Sequence, residues 1–87
     1  MTNANANLSY LAFALSSLDA EGRRSRLIKI AREHKLNASA ASRKGKFTRA
    51  AQSYRRAAVM YRLAGNQDTA RDCRRYAKAA AGAASAA

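Results

Sequence analysis

The chain has no proline and no tryptophan, one cysteine, one histidine and five acidic residues among 87. Without proline, the strongest helix breaker is missing. β-Branched apolar residues are scarce, two isoleucines and one valine, and they never alternate with polar ones, so a strand has no support. A lone cysteine, Cys73, closes no internal disulfide and points to a reducing compartment. With His34 as the only histidine, no zinc ligand set can be assembled. Large aliphatic and phenyl side chains are scarce too. Leu, Ile, Val and Phe together number 12, below one-fifth of the chain, while the net charge is +12. That combination is characteristic of chains that cannot bury enough apolar surface to fold.

Against disorder stand 23 alanines. Alanine has the highest intrinsic helix propensity, and the apolar residues recur at helical intervals. The expectation is one small all-α domain with a thin core, as about four helices packed in two antiparallel α-hairpins. Residues 1–7 and 81–87 are expected to fray. Leu8, Leu11, Leu15 and Leu18 mark one face of a first helix, which would serve as a cap or a homodimer contact. Asp19, Ala20, Glu21 and Gly22 interrupt it. A second helix starts near Gly22, carries Leu27, Ala31, His34, Ala38 and Ala41 on one stripe, and stops at Gly45. The third, from about Thr48 as N-cap to Ala64, has one apolar face of Phe47, Ala50, Tyr54, Ala57, Tyr61 and Ala64. Val59, Met60 and Leu63 point the other way, so this helix should be sandwiched between neighbours. The fourth is capped by Asn66 or Asp68, buries Ala70, Cys73, Ala77 and Ala80 with Tyr76 at the edge, and ends near Ala80.

An internal repeat relates the last two helices. Gly45-Lys46-Phe47-Thr48-Arg49-Ala50 aligns with Gly65-Asn66-Gln67-Asp68-Thr69-Ala70 at an offset of 20 residues, which also pairs Arg55 with Arg75 and Ala57 with Ala77. The series Gly45, Phe47, Ala50, Tyr54, Ala57 resembles the second helix of a tetratricopeptide repeat. Over Gly45–Ala80 the resemblance implies stacked α-hairpins and a role in protein–protein interaction; the tryptophan and closing proline usual in that family are missing. A second stretch, Ala31 to Arg43, resembles a DNA-binding helix-turn-helix. There the resemblance implies a turn at Lys35, a cap at Asn37, and Ser39, Ala40 and Arg43 toward the bases.

Chemistry-bearing residues do not converge in the sequence. Asp68 and Asp72 lie four apart on one helix, where capping and pairing with Arg71 or Arg75 account for them. No nucleophile, base and orienting group form a set, and no glycine-rich phosphate loop is present, so a non-enzyme without cofactor is expected. The apolar run Leu8–Leu15 is too short to span a membrane and lacks the basic flank of a signal peptide, which gives a soluble cytoplasmic protein as the expectation.

What is abundant is cationic. Twelve arginines and five lysines face the five acids. Arginine's planar fork matches phosphate and carboxylate groups, and such an excess favours an acidic partner. Arg43, Lys44 and Lys46 cluster at one turn, Arg49 and Arg56 form one pair seven apart, and Arg55 and Arg62 form another. Arg71, Arg74, Arg75 and Lys78 fall within roughly 100° of one helix face. These eleven residues are the expected binding surface, for nucleic acid, DNA above all, or for an acidic protein partner to which the chain would be a small regulator or inhibitor.

Overall fold

The computed structural model describes residues 19–86. They form three helices, α1 (Ala20–Arg43), α2 (Phe47–Leu63) and α3 (Gln67–Ala86), with no strand among them. The all-α class stands, and the arrangement of about four helices in two hairpins does not. There are three helices in the described part, and α2 is shared: it packs against both α1 and α3, which scarcely touch each other. The leucine stripe Leu8 to Leu18, with the dimer contact it suggested, lies outside the described residues.

Each helix begins and ends for a local reason. Asp19 caps α1, its carboxylate accepting from the Gly22 amide at 2.6 Å, and Glu21 adds negative charge to the first turn. The acids that interrupt the sequence pattern therefore start α1. Its end is a Schellman motif. Gly45 stands at φ 74°, its N–H donates to the Ser42 carbonyl at 3.0 Å, and the Lys46 N–H donates to the Ala41 carbonyl at 2.9 Å. Twenty residues on, the turn recurs: Gly65 is at φ 84°, its N–H reaches the Arg62 carbonyl, and the Asn66 N–H reaches the Tyr61 carbonyl. The repeat in the sequence is thus a repeat of turn geometry. Asn66 Oδ1 then accepts from the Thr69 amide at 3.3 Å and caps α3. At α2 the residue before the helix is Lys46, with no side-chain cap, and Thr48 lies inside the helix. The helix resumes two residues after Gly45, so Thr48 comes too late to cap it.

Alanine makes the core. Ala31, Ala38, Ala50, Ala57 and Ala70 are fully inaccessible, and Cys73 is the largest side chain that is completely buried. Small contacts let helix axes approach to the short end of the roughly 8–10 Å range. The first expected face of α2 is buried at Ala50, Ala57, Tyr61 and Ala64 and half-buried at Phe47 and Tyr54, while the second differs from the expected one. Ser53 and its neighbours share a pocket with α1, which sets the side bearing Ala50, Ser53 and Ala57 against that helix. About 100° around the axis, at 100° per residue, Ala51 and Ala58 form the second buried face, toward α3. Val59 and Leu63, which with Met60 looked like that second face, are 42% and 60% exposed, whereas Met60 is partly buried against the core. Alanines on both faces, not large aliphatics, sandwich this helix.

The offset of 20 residues also explains where stacking stops. Ala31 and Ala38 of α1 correspond to Ala51 and Ala58 of α2, and these to Arg71 and Lys78 of α3, which are exposed. The face that would receive a further helix is charged, as the end of a helical stack requires. α3 nevertheless continues past Ala80 to Ala86. Alanine propensity carries it beyond its last fully buried residue, with Ala81, Ala83 and Ala84 still half-buried.

Candidate anion-binding surface

The eleven cations Arg43, Lys44, Lys46, Arg49, Arg55, Arg56, Arg62, Arg71, Arg74, Arg75 and Lys78 are all exposed. They do not form one face. Lys44 and Lys46 at the α1–α2 turn join Arg49 and Arg56 of α2 around one pocket of about 360 Å³. Asn37, Ala40 and Ala41 form its α1 wall, and Gln52 and Ser53 its α2 wall. No carboxylate lines it. Arg49, Gln52, Ser53 and Arg56 are spaced as one helical stripe, so α2 delivers them to the same side.

A second group lies around the α2 axis and on α3. Arg55 and Arg62 occupy an edge of α2 about 120° from Arg49 and Arg56 at 100° per residue. Arg74 and Lys78 of α3 are exposed without an ion pair, and Arg71 meets Asp68 at 3.4 Å with both side chains largely in water. A surface pair of this kind contributes about 0–1 kcal/mol. Arg43 belongs to neither group. Its Nη1 donates to Ser39 Oγ at 3.0 Å, and Ser39 lines a different groove.

That groove, about 530 Å³, is lined by residues of all three helices. Tyr54, Tyr61 and Tyr76 form its aromatic wall, and Arg32, Lys35 and Leu36 its α1 rim. The Tyr54 and Tyr76 rings are 5.4 Å apart and tilted by 47°, within the range of centroid separations at which aromatic pairs attract. α1 runs unbroken through Lys35, and no residue other than glycine has a positive φ among the described ones. Of the positions marked by the helix-turn-helix resemblance, Asn37 and Ala40 line the basic pocket and Ser39 holds Arg43.

His34 is half-buried on α1. Burial pushes its pKa below the usual 6.5, the Arg56 guanidinium lowers it further, and Glu33 opposes both. The thiol of Cys73 is raised, first by burial, with Asp72 adding to the shift and Lys35 opposing it. Among the described residues no three of His, Cys, Asp and Glu gather where a metal ion could sit. No described helix is long and apolar enough to cross a membrane.

Sequence reasoning gave no binding role to Ser53, Gln52, Arg32 or Lys35. Ser53 did carry a signal: it falls between Ala50 and Ala57 on the buried stripe, a hydroxyl where an alanine would do. Arg32 and Lys35 carried none, because their significance depends on the tyrosines of two other helices. No family model, curated protein or solved structure matches this chain.

Proposed function

We propose that the protein binds nucleic acid through its phosphates, with the arginines and lysines of α2, α3 and the turn at Gly45 as contacts. One observation carries the reading. All eleven cations are exposed, and among the described residues only Arg71 of the eleven has a carboxylate partner. Like charges at helical spacing repel, and a polyanion removes that cost while counterion release drives association. Backbone contacts of this kind carry little sequence preference.

The test is affinity for a DNA duplex as a function of salt. The logarithm of the association constant should fall with log salt at about 0.9 per phosphate contact. Replacing Arg71, Arg74, Arg75 and Lys78 together by glutamate should abolish binding. Unchanged affinity in that variant overturns the reading.

A second reading, an acidic protein partner, is favoured by the tyrosine groove. Leu36 is 70% exposed and Tyr76 47% exposed beside Arg32 and Lys35, apolar surface that phosphate binding does not use. A protein that stays bound at stoichiometric level through high salt and nuclease treatment would favour this reading over the first.

A further inference from the structure

The pocket between α1 and α2 differs from the rest of the basic surface in three respects. First, it is concave and formed by two helices and the turn joining them, so Lys44, Lys46, Arg49 and Arg56 approach one volume from different elements. Those of α3 spread over one convex helix face. Second, it has a hydroxyl on a mostly buried residue. Ser53 is only 8% exposed, lines the pocket, and its hydroxyl has no hydrogen-bond partner within the protein. The residue is largely covered but its oxygen is open to the pocket, since no fully buried side-chain oxygen or nitrogen among the described residues lacks a partner, so a ligand oxygen there can take the place of water as its hydrogen-bond partner. Third, neutral donors accompany the cations: the amides of Asn37 and Gln52 lie on opposite walls.

The charge sets the ligand class. Four cations with no carboxylate among the lining residues overcompensate an internal phosphodiester, which bears one negative charge and must leave the pocket in two directions. A terminal phosphate carries about two charges near neutral pH, and a diphosphate carries more. Either fits a pocket of about 360 Å³ between two helices. The first turn of α2 contains no acidic residue and has no side-chain cap, so nothing there competes for the site.

We infer that the α1–α2 pocket binds a terminal phosphate or polyphosphate group, held by Lys44, Lys46, Arg49 and Arg56, with the Ser53 hydroxyl as donor. This rests on the reading of the basic surface as phosphate-binding and adds a discrete site to it. The group comes either from a nucleic-acid end or from a free nucleotide or polyphosphate. His34 is a built-in reporter. Arg56 helps to hold its pKa down, so an anion bound beside Arg56 raises it.

The test is calorimetric titration with pyrophosphate, with the His34 ring resonances followed by NMR. One-to-one binding is expected, with a rise in the His34 pKa. The double variant Arg49→Gln/Arg56→Gln should weaken pyrophosphate binding at least about tenfold, since it removes two charge-assisted hydrogen-bond donors. Arg74→Gln/Lys78→Gln, which removes the same charge from α3, should change it less than about threefold, as expected for distant screened charges. Ser53→Ala, a change that does not threaten the helix, should weaken it by roughly fivefold, the equivalent of about 1 kcal/mol. Equal losses in the two double variants would mean diffuse charge and overturn the site, as would absence of pyrophosphate binding, while DNA binding through α3 could still hold. Selective pyrophosphate binding by a protein that ignores DNA would keep the site and sink the nucleic-acid reading. Duplexes with 5′-phosphate and 5′-hydroxyl ends assign the source. A preference for the phosphorylated end that disappears in Arg49→Gln/Arg56→Gln supports a nucleic-acid end, and no preference alongside pyrophosphate binding supports a free polyphosphate.

Discussion

Arg24, in the first turns of α1, donates its Nε–H to the carbonyl of Ala64, 40 residues later, at 3.1 Å. Ala64 is the C-cap of α2. The bond therefore ties the start of one helix to the end of its antiparallel neighbour, and it places a cation where the α2 dipole is negative. The sequence reading assigned Arg24 no role. Arg24→Ala should destabilise the fold by about 1–2 kcal/mol, the range for a partly buried bond from a charged donor. Arg24→Lys should recover little, because a lysine amine cannot reproduce the Nε geometry. Urea midpoints of the two variants check this; a wild-type midpoint for Arg24→Ala would show that the bond contributes nothing.

The glycines should separate by backbone conformation. Gly45 and Gly65 have φ 74° and 84°, and a Cβ at either would meet nothing within 4 Å. Any loss on Gly45→Ala or Gly65→Ala is thus backbone strain, about 1–2 kcal/mol each. Gly82 sits in α3 with equally open surroundings. Gly82→Ala should stabilise by about 0.5–1 kcal/mol through helix propensity. Thermal melts of the three single variants should show two decreases and one increase.

The alanine contacts should not tolerate growth. Ala57 and Ala70 are both fully inaccessible and lie in one cluster with Ala31 and Cys73. Ala57→Leu adds hydrophobic surface, yet it should destabilise by about 1–3 kcal/mol, because the helices would have to separate to admit it. Val59→Leu, on the exposed face of the same helix, serves as the control and should be within about 0.5 kcal/mol of wild type. Denaturant unfolding distinguishes the two.

The depressed pKa of His34 makes stability depend on pH. Burial, then Arg56, favour the neutral ring in the folded state, and Glu33 only partly opposes them. The unfolded state therefore binds a proton first as pH falls. The contribution is complete above the unfolded value near 6.5 and is lost as pH drops through the lower folded value. His34→Gln should flatten the stability profile in that window and leave its slope above pH 7 unchanged. Urea midpoints measured across the window are the check, and a profile identical to wild type would refute the assignment.

Much of the fold was legible because helices are written locally. The stripes Leu27, Ala31, Ala38, Ala41 and Ala70, Cys73, Ala77, Ala80 are the buried residues of α1 and α3, and the repeated Gly45 and Gly65 turns need only the positive φ that glycine allows. The second face of α2 was misread because Val59 and Leu63 are more hydrophobic than Ala51 and Ala58. Close approach selected for size over hydrophobicity. The basic residues were legible as a set, and their grouping was not. Arg43 and Lys44 are adjacent in the chain, yet one turns to Ser39 and the other joins Arg56.

By itself, then, the amino-acid order determined that this chain is helical, where α1 and α2 end, and that its surface is cationic, since propensity, glycine turns and net charge are properties of short segments. Only the tertiary structure decided which alanines of α2 meet its two neighbours, that Arg71 and Lys78 end the stack, and that four cations and a mostly buried serine share one pocket. Those facts depend on which faces of separate helices meet, and that is settled by how closely alanine lets the helices approach.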